Sequence, residues 1–185
     1  MAVAEIKITV EEFHRLQFEG EDAYYELING IVVRKASPSP KHQEISQNLN
    51  FALSMFVRSK NSGKIFAAPT DVFLDEYNHL IPDLCFISES RLGMIDYREG
   101  IFGVPDLVVE IISPGSVVQD RVDKRAAYER CGVREYWLVD PENRSIEVLQ
   151  NLDGNFYIFS HALGSGIVRS EILDGFEVVL ENIMG

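Results

Sequence analysis

The sequence predicts an α/β protein, a mixed β-sheet flanked by helices with a β-rich C-terminal extension, all within one domain spanning residues 1–185. Three observations predict it. Two apolar runs, "IPDLCFIS" (81–88) and "PDLVVEII" (105–112), read as neighbouring strands. One helical stretch precedes them and one follows. Beyond residue 141, short strand-like runs succeed one another between turns.

Taken in order, "TVEE" at 9–12 is a capping box that starts a short helix running to about Phe18. "YYELINGIVVRK" is a hairpin turning at Asn29-Gly30. Ser39 and Pro40 open a long helix in which Ile45, Leu49, Ala52, Leu53 and Phe56 recur at the helical period. "KIFAAPTDVFLDEYNHLIPDLCFIS" reads as two strands joined by a polar turn at 75–79, and 88–103 as irregular chain with a short helical turn. After "PDLVVEII", Ser116 is expected to cap a helix reaching about Arg130, with Gly132 as its stop. "REYWLVD" is a further strand, and "SIEVLQ", "NFYIFS", "GIVRSEI" and "FEVVLE" make an all-β tail.

Bulk properties narrow the function classes. With 46% hydrophobic and 25% charged residues in 185, the chain can bury a proper core and is not a disordered one. Cys85 and Cys131 lie in apolar stretches without metal-like spacing, which suits reduced thiols in a cytoplasmic protein. "MAVAEIKITVEEFHRL" carries charges throughout, unlike a signal peptide, and no run approaches the roughly 18 apolar residues of a membrane span. A net charge of −12 argues against a phosphate-rich partner. Yet residues 34–64 hold Arg34, Lys35, Lys41, Arg58, Lys60 and Lys64 against Glu44 alone. That stretch reads either as a solvated helix surface or as a basic face for nucleic acid, with Arg34, Lys35 and Lys41 as its leading contacts.

Carboxylates inside apolar strands need a reason. Asp106, Val108, Glu110 and Ile112 share one side of their strand, and Asp83, Cys85 and Ile87 share one side of theirs. An ionised carboxylate there is costly unless it is paired or coordinated. If the two strands pair, Asp83 and Glu110 converge into a hard oxygen site suited to Mg²⁺ or Mn²⁺. Asp120, Lys124 and Tyr128 lie four apart on one helical stripe. That stripe is either a solvated surface pair or an arm that brings the Lys124 ammonium to Glu110. Asp106, about 13 Å along the strand from Glu110, is expected to bond backbone groups instead. Asp71 is a remote candidate, and His14, His79 and His161 lack ligand spacing. Tyr136 and Trp137 read as core.

"YYELINGIVV", "SPSPKHQEISQNL", "IPDLCFIS" and "PDLVVEIISPGSVVQDRVDKRAAYERCGVREYWLVDP" together resemble the Uma-two family of restriction-endonuclease-like proteins, within the PD-(D/E)XK nuclease superfamily. The resemblance covers about residues 24–141, leaving a β-hairpin tail at about 142–185. It implies a restriction-endonuclease-like core with Asp83 and Glu110 as metal ligands and Lys124 in the place of the family lysine, as a catalytic residue that orients the attacking water or shares the developing charge. The superfamily pattern would put lysine at position 112; this chain has Ile112 there. Glu26 matches the glutamate of the family's "YELI-x-G", as an additional ligand or as a structural residue of the hairpin. His42 matches a family histidine, as a site residue or as packing at the helix start. The resemblance thus implies a Mg²⁺- or Mn²⁺-dependent endonuclease cutting DNA, with a homodimer as its expected assembly. Two other readings stand beside it: a catalytically silent binding or dimerisation module that keeps the fold, and a hydrolase of small phosphoesters.

Overall fold

The computed structural model describes residues 7–18, 23–35 and 37–185. Thr9 caps α1 (Val10–His14), exchanging hydrogen bonds with Glu12 as the capping box requires. The helix stops well short of the expected Phe18. The chain leaves it so that the Phe18 ring can stack on Tyr25, with centroids 3.9 Å apart. Strands β1 (Tyr25–Ile28) and β2 (Ile31–Arg34) meet at Asn29 and Gly30, whose φ angles of 53° and 82° suit the tight turn of a twisted hairpin. Helix α2 (Pro40–Lys60) follows, capped by the Ser39 hydroxyl, and buries Ile45, Leu49, Leu53 and Val57 along one stripe.

Residues 63–88 depart from the expected two strands and form four. These are β3 (Gly63–Ala67), β4 (Val72–Asp75), β5 (Asn78–Leu80) and β6 (Leu84–Ser88). The Asp75 carboxylate accepts from the Tyr77 amide and the Asn78 side chain, closing a tight β4–β5 turn. That hairpin joins a different sheet from β3 and β6. The irregular stretch holds a 3₁₀ turn (Glu89–Met94) and two short strands, β7 (Ile95–Asp96) and β8 (Gly100–Phe102). After β9 (Leu107–Ile111), a π-helical segment (Gln119–Lys124) runs straight into α3 (Arg125–Cys131), which stops at Gly132. The helical turns begin just after Ser116, as expected, and its carbonyl accepts from the Asp120 amide, but its hydroxyl accepts from the Ser113 amide and caps no helix amide. β10 (Glu135–Asp140), β11 (Ser145–Leu152), β12 (Asn155–Leu163), β13 (Ile167–Arg169) and β14 (Glu177–Val179) complete the strands. The tail is not all β, because "LENIM" closes it as helix α4 (Leu180–Met184). Leu180, Ile183 and Met184 are thereby buried beside α2.

One expected sheet is in fact two, each six-stranded and mixed, ordered β2-β1-β5-β4-β8-β7 and β12-β11-β10-β9-β6-β3, with β13–β14 as a separate pair. The second sheet is covered on both faces, which explains its apolar runs. On one face, Leu84, Phe86, Leu107, Val109, Ile111 and Trp137 pack against the α2 stripe and α4. On the other, Cys85, Ile87, Val108, Ile112 and Tyr136 pack against Val72, Leu80 and Ile101 of the first sheet and Tyr128 of α3. No helix among the described residues is long and apolar enough to cross a membrane.

Two buried acids tie this frame together. Glu135 is fully buried, and its carboxylate accepts from Trp137 Nε1 (2.6 Å), Ser170 Oγ (2.7 Å) and the amides of Glu171 (2.6 Å) and Ile172 (3.1 Å). It pins the C-terminal extension to β10. Asp106 accepts from the Ser88 amide (2.9 Å) and Arg91 Nη1 (2.8 Å), as expected of an acid at the start of its strand. Burial works to raise the Asp106 carboxyl, but the Ser88 and Arg91 contacts outweigh it and hold the group below its ordinary 3.8.

Glu135→Gln turns one accepting atom into a donor that faces donors, so we expect a loss of about 2–4 kcal/mol in urea unfolding. For Asp106 the depressed pKa means that the carboxylate stabilises the fold above the ordinary value, an effect lost as pH falls through the depressed one. Asp106→Asn should therefore unfold more easily than the parent at pH 7, and the gap should narrow in urea titrations near pH 3.

Candidate active site

β6 and β9 pair antiparallel with Leu84 opposite Val109 and Cys85 opposite Val108, and one further step of that register sets Asp83 opposite Glu110. Residues directly opposite share a face. The two carboxylates named from the strand pattern thus converge, and the Asp83 Oδ2 atom accepts from the Ile111 amide at 2.8 Å.

Two cations from other elements meet them. Lys124, on the π segment, places its Nζ 3.0 Å from Glu26 Oε2, 3.1 Å from Glu110 Oε1 and 3.6 Å from Asp120 Oδ1. Asp120 and Lys124 are therefore no solvated surface pair; the stripe is the arm that reaches Glu110. Lys35, just past β2, puts its Nζ 3.2 Å from Asp83 Oδ1 and also donates to the Ile81 carbonyl. His42, in the first turn of α2, holds Asp83 Oδ2 through Nε2 at 3.1 Å. Glu26 is doubly used, because its other oxygen accepts from the Ile81 amide at 2.8 Å. The Tyr128 hydroxyl, one helical turn beyond Lys124, donates to Glu110 Oε1 at 2.7 Å. No described group donates to Glu110 Oε2.

Apart from Tyr128, these side chains border a cavity of about 570 Å³ that also touches Tyr24, Arg34, Ser113 and Ser116. Lys41 lies elsewhere: it bonds Glu44 and the Met184 carbonyl, linking α2 to α4. Asp71 is also apart, paired with His79 at 2.7 Å. His161 is exposed on β12, and His14 packs edge-on to Phe73 and His79. Tyr136 and Trp137 are fully buried core residues. The strand pattern and helical stripe located Asp83, Glu110 and Lys124. Lys35 as a partner of Asp83 was hidden, since the hairpin that carries it is 48 residues away.

The environment drives the two central acids apart. Burial pushes the Glu110 carboxyl up to about 8, only partly opposed by Lys124 and Lys35 and reinforced by Asp83 and Asp120. Burial also works to raise Asp83, but Lys35, His42 and the Ile111 amide outweigh it and leave the group well below the usual carboxylate range. Asp120 is raised by burial despite Lys124. For Lys124 burial works downward, yet Glu110, Glu26 and Asp120 lift its ammonium well above the ordinary value. Burial pushes the Cys85 thiol, two residues from Asp83, up to about 12, so it stays protonated.

A family model described as "Uma2: Putative restriction endonuclease" matches residues 10–181. The chain belongs to that family. The crystal structure of "a putative nuclease belonging to DUF820 from Anabaena variabilis ATCC 29413" superposes with a TM-score of 0.77 at 19% identity, over 96% of this chain and 97% of that one. At that identity the likeness is one of fold. No curated protein matches. The two-sheet architecture is thus that of a Uma2-type, restriction-endonuclease-like protein, and nuclease chemistry is what this family and fold support.

Among the described residues no set of three or more His, Cys, Asp or Glu side chains is spaced to hold a metal ion. The donors that are present still fit Mg²⁺ or Mn²⁺: two converging carboxylates, one with an oxygen unclaimed by the protein, beside a cavity roomy enough for the waters such an ion keeps.

Lys124→Met would leave Glu26, Glu110 and Asp120 buried without their shared cation. We expect it to cost about 3–5 kcal/mol in urea unfolding. Adding Glu110→Gln to that variant should return part of the loss.

Proposed function

We propose that the protein is a Mg²⁺- or Mn²⁺-dependent endonuclease that hydrolyses DNA phosphodiester bonds at the Asp83–Glu110 site. One observation carries this reading. Four buried carboxylates (Glu26, Asp83, Glu110 and Asp120) surround two ammonium groups (Lys35 and Lys124), and a divalent cation held there would offset the burial that raises Glu110 and Asp120.

Asp83 and Glu110 would hold the ion, Glu110 through its unclaimed Oε2. Asp83 Oδ1 accepts from Lys35 alone and keeps a second lone pair for an ion, while Oδ2 keeps its bonds to His42 and the Ile111 amide. When bound, the ion supplies an acidified water and neutralises charge on the phosphoryl group. The protein's own groups do the positioning. Lys124 and Tyr128 both hold Glu110 Oε1, fixing the carboxylate so that Oε2 is presented. Lys124 also balances Glu110 and Glu26 electrostatically, which favours the ionised form that a metal ligand requires. His42 orients Asp83 from the opposite side. The net charge of −12 favours the rival reading of a silent binding module, since a polyanion must approach a polyanion. Against it, the fold buries four acids beside an open cavity, an arrangement that a purely structural module has no need of. The homodimer we expect would use the edge strand β12, where Tyr157, Ile158 and Phe159 are exposed.

With plasmid and Mg²⁺, the protein should nick or linearise DNA, and Asp83→Asn or Glu110→Gln should slow this by at least about a hundredfold. Calorimetry should show Mn²⁺ binding that either substitution abolishes. Equal nicking by parent and variants, with no Mn²⁺ heat from folded protein, would defeat the proposal.

A further inference from the structure

The two ammonium groups of the site carry the same charge in opposite surroundings. Lys124 sits among three carboxylates, at 3.0, 3.1 and 3.6 Å, donating to Glu110 and ion-paired with Glu26 and Asp120, so three acids share its charge. Its side chain is 4% exposed and is carried on a helical turn packed beneath Glu110. Lys35 has one direct carboxylate partner, Asp83, and one carbonyl, Ile81. Its third donor has no partner among the described residues. Its side chain is 19% exposed and lines the cavity from the end of β2. A lysine stem has four rotatable carbons, so the ammonium can lean toward a ligand while remaining near Asp83.

Resting on the nuclease reading above, we propose that Lys35 is the ammonium that contacts the substrate's phosphate, and that Lys124 is a positioning residue that never touches it. Charge that develops on phosphoryl oxygens is stabilised by a donor already in place and not consumed by the protein. Lys35, with one carboxylate partner and the more exposed side chain, meets that condition better than Lys124, whose charge three acids share. The division also explains why one site needs two lysines. The inner one makes the burial of Glu26, Glu110 and Asp120 tolerable, while the outer one supplies positive potential at the cavity wall, where an otherwise acidic protein would repel an incoming phosphate.

Two measurements on the full-length protein test this. The first is the affinity for a fluorescein-labelled oligothymidylate in Ca²⁺ buffer, for the parent, Lys35→Met and Lys35→Arg. Lys35→Met should remain cooperatively folded and bind about tenfold more weakly, and Lys35→Arg should recover most of the affinity. The second is reductive methylation read by mass spectrometry, in which Lys35 should be modified and protected by the oligonucleotide while Lys124 stays unmodified. A folded Lys35→Met protein that binds like the parent overturns the assignment, as does a Lys124 that is modified and protected in place of Lys35. If the parent binds the oligonucleotide and loses affinity on Lys35→Met but cleaves nothing with Mg²⁺, the phosphate contact stands and only the hydrolytic reading falls. If the parent binds no oligonucleotide, the assignment falls too.

Discussion

The Lys124 ammonium is the charge on which the arrangement around β9 depends. A carboxylate in the middle of a two-sided apolar strand is tolerable only with a compensating cation within hydrogen-bonding distance, and the strand itself offers none. The cation arrives from the following helix, and it serves Glu110, Glu26 and Asp120 at once. Each of those acids sits on a different element, so this ammonium also fixes how the first hairpin, the second sheet and the π segment stand relative to one another. Tyr128 adds the neutral half of the same clamp from one turn further along.

The position of the cavity follows from the two-sheet layout. Glu26 and Lys35 belong to the hairpin of the first sheet, Asp83 and Glu110 to the adjoining strands of the second, and His42 to the helix covering the second sheet's far face. No segment carries the constellation alone. The hairpin supplies the outer cation and Glu26, the strands supply Asp83 and Glu110, and the π segment supplies Asp120 and the inner cation.

How much of this was legible depended on whether the signal was local. The pairing of "IPDLCFIS" with "PDLVVEII" and the shared face of Asp83 and Glu110 follow from strict alternation, which leaves little freedom once two apolar strands are adjacent. The Asp120–Lys124–Tyr128 stripe was readable from its four-residue spacing, although spacing alone could not tell a buried arm from a solvated one. Burial decided that, and burial is tertiary. The strands at 72–75 and 78–80 were missed because each is only three or four residues long and the pair docks in another sheet. Helix α4 was missed because "VVLENIM" has the β-branched start of a strand, and what favours a helix is the burial of Leu180, Ile183 and Met184 against α2. Lys35 was read as a generic basic contact, since nothing in its own neighbourhood in the chain points to an aspartate 48 residues away.

Ile112 has a consequence of its own. With the lysine carried by a helix, the position two beyond Glu110 is released to the core, where Ile112 is 4% exposed among Val108, Tyr128 and Tyr136. The core beside Glu110 on that face is therefore hydrocarbon. Hydrocarbon screens charge poorly, so Glu110 acts on its neighbours through a weakly polarisable medium on that side and is felt more strongly than at an aqueous surface. Relocating one cation thus separates two demands that would otherwise compete for a single residue: a well-packed interior, and a strong electric field around the buried acids.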